Sequence, residues 1–175
     1  VRLSFLAKPD KDSTPLRGGT VDLETGVIGL PMGPEIIAVG LFRDSFVGVV
    51  RKGHPLLSRR MTARAYAAGE HVLITRPGLQ MGSIDAALER LGLARNVAAT
   101  VGGFSPAIAL ARASDMIATV PGKHAASLCL GMHCFALPMP LPGFTVSLFW
   151  HPRLDADPAH RWMRSLVRSV CGSQS

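Results

Sequence analysis

Residues 97–121 read VAATVGGFSPAIALARASDMIATVP, and this stretch decides the fold class. Residues 97–101 form a β-branched, apolar run typical of a strand, and the pair Gly102-Gly103 ends it. The pattern predicts a helix over about residues 106–113 and a second strand over residues 116–120. A strand, a helix and a strand in close succession indicate an α/β domain in which helices cover a sheet.

The same alternation continues outward from this stretch in both directions. Further strands are predicted at residues 1–6, 21–28, 36–42, 46–50, 71–75 and 144–150. Further helices are predicted at residues 13–17, after the N-cap candidates Thr62 and Ser83, from Pro121 towards Leu130, and after Asp157-Pro158. The chain therefore has enough alternating elements for either one α/β core or two small lobes.

Two of these helices have a clear apolar periodicity. The helix after Ser83 is predicted to bury Ile84, Ala87, Leu88 and Leu91. The last helix is predicted to bury Trp162, Met163, Leu166, Val167 and Val170, with Arg161, Arg164 and Arg168 on the opposite side. Each helix would then pack on a sheet through a single face.

The composition is that of a globular protein. Apolar residues make up 47% of the 175 residues and charged residues 18%, and no apolar run is long enough to span a bilayer. Charged residues between positions 8 and 12 argue against a secretory signal, and three cysteines argue against a disulfide framework. We therefore expect a cytoplasmic protein with reduced thiols and without a membrane contact.

Neither charge nor motif indicates a catalytic or metal site. The net charge of +7 favours acidic partners but is spread along the chain. Ser105 lies at a strand–helix turn, as a hydrolase nucleophile would, but Pro106 removes a backbone donor that normally forms half of an oxyanion hole. The alternative is that Ser105 caps the next helix.

Four soft ligands lie close together in the sequence without the spacing of a zinc site. These are His124, Cys129, His133 and Cys134. Structural zinc sites usually have two close pairs of ligands, so buried cysteines that act as small hydrophobic groups are the favoured interpretation. A redox pair of Cys129 and Cys134 is the less favoured alternative. No metal and no cofactor are expected.

Several loops follow strands directly, and one of them carries a cation. In open α/β sheets, ligands bind beyond the carboxyl ends of the strands. Arg76 follows the strand predicted at residues 71–75, and its guanidinium group can bind a carboxylate in a bidentate manner. An exposed loop arginine without such a role is the alternative.

Four segments resemble one family in order along nearly the whole chain. The sequence LRGGTVDLETGV at residues 16–27, FVGVVRKGHPL at 46–56, the run ending SDMIATVP at 107–121, and FWHPR at 149–153 with the following DPAHRW are similar to segments of LysR-type effector-binding domains. The resemblance implies a cytoplasmic sensor domain of a bacterial transcription regulator, not an enzyme.

The resemblance also implies an architecture. Such domains have the fold of type 2 periplasmic binding proteins, with two α/β lobes, two mixed sheets flanked by helices, and two crossover strands. Residues 1–43 and 145–175 would form the first lobe, and residues 44–144 the second. By this resemblance, the chain lacks the first strand and helix of the first lobe, and it lacks the winged helix-turn-helix through which such regulators bind DNA.

Finally, the resemblance implies a binding site and partners. A small, often anionic effector would bind between the lobes, with contacts from Lys8, Pro9, Thr75, Arg76, Pro77, Phe104 and Thr119. The domain would form a homodimer or homotetramer, and DNA would be a partner only through the helix-turn-helix. A solute-binding protein with the same fold, or less favourably a serine hydrolase that uses Ser105, are the alternatives.

Overall fold

The computed structural model of the protein describes residues 2–6, 12–28, 33–75 and 82–172. Its contacts divide the chain into two compact units, one of residues 1–44 and 144–175 and the other of residues 45–143. Both contain a β-sheet and helices, which confirms the predicted α/β class. In the part of the chain that is described, no helix is long and apolar enough to cross a membrane.

The described elements follow the predicted order, except that residues 2–6 form no strand and the strand at Met132–Ala136 was not predicted. The described helices are α1 Thr14–Gly18, α2 Ala63–Ala67, α3 Ser83–Glu89, α4 Phe104–Ala113, α5 Gly122–Leu128 and α6 Pro158–Gly172. The described strands are β1 Glu24–Val27, β2 Ile37–Asp44, β3 Phe46–Arg51, β4 Glu70–Ile74, β5 Asn96–Val101, β6 Met116–Pro121, β7 Met132–Ala136 and β8 Phe144–Trp150. Short 3₁₀ turns follow His54 and His151, whose Nδ1 atoms accept the N–H of Leu56 and Arg153.

The larger unit is built on a mixed five-stranded sheet. Its strand order is β5-β4-β6-β3-β7, with β4 parallel to both β5 and β6, and β3 antiparallel to β6 and β7. Alternate residues of one strand point to opposite faces, so Ile117 belongs to one buried cluster and Ala118 to the other. Helices α2 and α3 cover the first face, and α4 and α5 cover the second.

The smaller unit has a three-stranded sheet in the order β1-β8-β2. Both described pairings in this sheet are antiparallel. Its buried cluster is small and consists of Leu16, Ile36 and Phe149. Helix α1 ends at Gly19, whose φ of +76° is a left-handed conformation that glycine adopts without a steric penalty.

Helix α6 starts as predicted but buries a different face. Asp157 accepts the N–H of His160 at 2.7 Å, and Pro158 occupies the first turn. His160 and Arg164 are buried, whereas Trp162, Leu166 and Val170 are exposed, so the predicted burial was wrong for these residues.

The buried Arg164 is stabilised by specific partners. Its guanidinium group donates to the carbonyls of Leu154 and Asp155 at 3.1 and 3.0 Å. It also lies 4.5 Å from the centre of the Trp150 ring and 2.6 Å from Nδ1 of His160. These contacts replace the hydrogen bonds to water that Arg164 loses on burial. The apolar pattern in the sequence does not reveal such partners.

Three other local predictions were wrong. Residues 2–6 form no strand, and Leu3, Phe5 and Leu6 are exposed, because no described strand offers them a hydrogen-bonding partner. Ser83 is the first residue of α3 and not its cap, which is Gly82. Leu91 is exposed because the helix ends at Glu89, before the turn that would have placed Leu91 on the buried face.

A buried polar network lies on the α2/α3 face of the larger unit. Arg95 forms two hydrogen bonds with the carboxylate of Asp85, at 2.8 and 2.7 Å, and its side chain is only 4% exposed. Arg95 also interacts with the hydroxyl of Tyr66, which bonds to Oγ1 of Thr119 at 2.7 Å. The chain of contacts joins α3, the start of β5, α2 and β6.

We expect the Arg95–Asp85 pair to be far more important for stability than an exposed pair. Asp85→Asn leaves a buried guanidinium without its counter-charge and should lower the free energy of unfolding by about 3 kcal/mol. The exposed pair of Arg51 and Asp115 serves as the control, and Asp115→Asn should cost less than about 1 kcal/mol. Urea denaturation of both variants measures the difference, and equal losses would contradict the prediction.

His71 gives the fold a predictable dependence on pH. Its ring is fully buried, Nε2 donates to the carbonyl of Tyr66 at 2.8 Å, and burial lowers its pKa from 6.5 to about 4. Because the folded pKa lies below the unfolded one, the unfolded chain takes up a proton first as the pH falls through 6.5. The contribution of His71 to the free energy of unfolding is therefore fully present above pH 6.5, and it is lost as the pH falls from 6.5 to about 4.

We expect the free energy of unfolding to fall by about 2 kcal/mol between pH 6.5 and pH 5 through this residue. The test is urea denaturation across this pH range. His71→Gln should flatten the slope, whereas the control His133→Gln, at an exposed position, should leave it unchanged. A slope that persists in His71→Gln would assign the effect to other groups.

Candidate functional site

The parallel strands of the larger unit end at one edge of the sheet. Strands β4, β5 and β6 end at Ile74, Val101 and Pro121, and their mutual parallel pairing places these carboxyl ends side by side. The N–H of Thr75 still bonds to the carbonyl of Val101 at 3.1 Å, so Thr75 lies at this edge. We refer to the edge formed by Thr75, residues 101–104 and residues 121–124 as the carboxyl edge.

Helix α4 begins at the carboxyl edge without a side-chain cap. Its N-cap is Gly103, which has no side chain to accept a hydrogen bond from the first turn. The helix starts at Phe104, before the predicted start at Pro106, so Ser105 lies inside it and does not cap it, contrary to the expectation. A helix of ten residues with an open first turn presents a partial positive charge to a ligand.

Phe104 and His124 meet beside this helix terminus. Their ring centres are 5.4 Å apart, and His124 lies in the first turn of α5 directly after β6. The Nε2 atom of His124 is shielded from solvent and has no hydrogen-bond partner within the described segments. Sequence reasoning considered His124 only as a metal ligand or catalytic base, and its position one turn after a strand was the signal that pointed to the edge.

Thr119 faces the other side of the sheet. Its side chain points to the α2/α3 face, where it bonds to Tyr66, while Phe104 packs against the cluster on the α4/α5 face. The two residues therefore approach the carboxyl edge from opposite faces. Burial raises the pKa of the Tyr66 hydroxyl, so this group stays protonated and available as a hydrogen-bond donor. No pattern in the sequence indicated the role of Tyr66.

Four of the predicted contact residues lie outside the described residues. These are Lys8, Pro9, Arg76 and Pro77. Their assignment to the site stays a prediction, as does that of Thr75, Phe104 and Thr119. Arg76 follows Thr75 directly in the sequence, which links it to the end of β4.

The arrangement contains no catalytic or metal-binding constellation among residues 2–6, 12–28, 33–75 and 82–172. Ser105 is exposed at the first turn of α4, and no hydrogen bond to a histidine is found for it there. Within the same residues, no three His, Cys, Asp or Glu side chains come together closely enough to hold a metal ion. The open helix terminus and the edge loops are suited to binding a ligand.

Residues 2–172 match the family model described as the LysR substrate binding domain. The chain belongs to the LysR family. Its relatives are transcription regulators, so the resemblance seen in the sequence is confirmed. The HTH-type transcriptional regulator SyrM from Rhizobium meliloti is 33% identical over 162 residues, which cover 90% of this chain and 49% of SyrM. The chain thus spans about half the length of the curated relatives it matches.

Solved structures support the same fold. The regulatory domain of MexT, a transcriptional activator in Pseudomonas aeruginosa, aligns with a TM-score of 0.74 and 26% identity over 89% of this LysR chain and 76% of that one. The effector binding domain of QuiR in complex with shikimate aligns with a TM-score of 0.71 over 91% of this chain and 76% of that one. At 16% identity, the second likeness concerns the fold alone.

We expect Tyr66 and Thr119 to be energetically coupled in this LysR domain. Tyr66→Phe removes the hydroxyl between Arg95 and Thr119 and should lower the free energy of unfolding by about 1–2 kcal/mol. A double-mutant cycle with Thr119→Val should give a coupling energy of about 1 kcal/mol, measured by urea denaturation. Strictly additive losses would show that the hydrogen bond contributes nothing.

Proposed function

We propose that this chain is the effector-sensing domain of a bacterial transcription regulator that works in the cytoplasm. It binds a small anionic metabolite at the carboxyl edge of the larger unit. The single observation that carries this proposal is the open first turn of α4 at that edge, beside Phe104 and His124. The regulators among its relatives favour this function over that of a solute-binding protein.

The ligand class follows from the chemistry of the edge. The N–H groups of Phe104 and Ser105 in the first turn of α4, together with the helix dipole, favour a negatively charged group. Arg76, which follows the end of β4 in the sequence, supplies a guanidinium group that matches the geometry of a carboxylate. The Phe104 ring offers an apolar surface to the remainder of the ligand. A small carboxylate with an apolar part matches the helix terminus, the guanidinium group and the aromatic ring together.

The proposed action of the effector is mechanical. A ligand shifts a protein between two conformations only by its difference in affinity for them. An effector that binds one conformation of the domain more tightly stabilises that conformation, and a homodimer or homotetramer passes the change to DNA-binding regions elsewhere in the regulator. About 1.4 kcal/mol of differential affinity is needed for each tenfold shift in the population.

Isothermal titration calorimetry with matched ligands tests the proposal. The panel contains small carboxylates, shikimate included because the QuiR domain was solved with it, and the uncharged methyl ester of each. We expect a carboxylate to bind and its ester to bind at least about tenfold more weakly, a difference of about 1.4 kcal/mol. Equal binding of acid and ester would reject the anionic ligand class.

Two variants locate the site. Arg76→Gln should weaken binding of the carboxylate found in the titration at least about tenfold, which corresponds to about 1.4 kcal/mol. The control Arg60→Gln removes the same charge from an exposed position in the larger unit and should leave the affinity unchanged. Equal effects of both variants would show that Arg76 acts only through the net charge of the domain and does not contact the ligand.

A further inference from the structure

Two cysteines of the larger unit lie next to one another across a tight turn. Cys129 ends α5, and Cys134 lies in the middle of β7. Between them, the N–H of Met132 bonds to the carbonyl of Cys129 at 2.9 Å, and Gly131 takes a left-handed φ of +77°. This turn reverses the chain, so the residue that closes the helix comes back beside the strand.

Both side chains lie on the α4/α5 face of the sheet. In β7, Phe135 contacts Tyr66 on the α2/α3 face, so its neighbour Cys134 points to the opposite face. Cys129 belongs to the buried cluster of that opposite face. Cys134 is the register partner of Val49, and Val49 belongs to the same buried cluster as Cys129. The fold thus brings the two cysteines, five positions apart in the sequence, to one face of the sheet.

The two thiols differ in their access to solvent. Cys129 is 8% exposed, whereas Cys134 is exposed on β7, which is an edge strand of the sheet. Burial, with a smaller contribution from Cys134, raises the pKa of Cys129 to about 11. Cys129 therefore keeps its proton at neutral pH, while Cys134 is the sulfur that a solute can reach.

A guanidinium group is held beside the pair. Arg112, in the last turn of α4, donates to the carbonyls of Leu128 and Leu130 at 2.8 Å each, on both sides of Cys129. Its charge favours the thiolate form of Cys129 and opposes the effect of burial. The positive charge would stabilise the thiolate of Cys129 when that sulfur reacts.

We propose that Cys129 and Cys134 form an oxidisable dithiol that a hydroperoxide converts into an intramolecular disulfide. The thiolate of Cys134 attacks one peroxide oxygen, the O–O bond breaks, and an alcohol, or water from hydrogen peroxide, leaves with a proton from solvent. The product is the sulfenic acid of Cys134. The sulfur of Cys129 then attacks this sulfenyl sulfur, the S–O bond breaks, and water leaves with the proton of Cys129. The two thiols lose two electrons, and the peroxide gains them.

The disulfide would connect α5 to the edge strand. Helix α5 carries His124 at its start and Cys129 at its end, so the bond fixes the helix that contributes to the carboxyl edge. The inference does not depend on the nature of the effector, because it requires only the two thiols and a peroxide. Reduction by a dithiol such as dithiothreitol would reverse it.

Thiol counting by mass spectrometry tests the proposal. The reduced chain is treated with hydrogen peroxide, denatured and alkylated with iodoacetamide. We expect the three alkylated cysteines of the reduced chain to fall to one, at Cys171, and dithiothreitol to restore all three. Three alkylated cysteines after peroxide treatment, or a disulfide that includes Cys171, would overturn the proposal.

Single variants separate the two thiols. Cys171→Ser is the matched control and should still form the bond. In Cys129→Ala, which preserves an apolar side chain in the core, Cys134 should stop at the sulfenic acid and react with dimedone. In Cys134→Ser, Cys129 should remain alkylatable, because its buried thiol is not oxidised first. Loss of the Cys129 thiol in Cys134→Ser, or a failure of dimedone to label Cys129→Ala, would contradict the proposed order.

Discussion

The parallel pairing of β4 with β5 and with β6 is the constraint on which the rest of the larger unit depends. Parallel strands need crossover connections, and the helices α4 and α5 start where β5 and β6 end. The pairing thus places the start of both helices, the end of β4 and the rings of Phe104 and His124 along one edge. The topology alone therefore defines the edge at which we propose that an anion binds, before any particular side chain is considered.

The α2/α3 face supplies the rigidity that such a site requires. The Arg95–Asp85 pair, the Tyr66 hydroxyl and Thr119 form a buried polar network, in which each bond also excludes alternative packings. The network meets β6 at Thr119, two residues before that strand ends. A small-molecule site is held in place more precisely by strands with such support than by loops alone.

The sequence predicted most elements because local signals and tertiary structure agree in them. The Thr62 cap and the Asp157-Pro158 start both formed, since each depends on a few neighbouring backbone groups. The wrong predictions concern side chains whose burial depends on partners outside their own element. Apolar periodicity assigned Arg164 to the surface, but the ring of Trp150 and the carbonyls around it lie outside the helix and stabilise it in the interior. For the same reason the sequence suggested Thr119 for the site but could not reveal its bond to Tyr66.

Chemical-shift mapping by NMR tests the central claim most directly, because it locates a bound anion without assuming which side chains hold it. The ¹⁵N-labelled chain is titrated with the carboxylate that binds, and its methyl ester is the reference. The account predicts the largest shifts at the backbone amides of Thr75, residues 102–105 and residues 122–124. Shifts confined to the α2/α3 face or to α6, with none at the carboxyl edge, would contradict it.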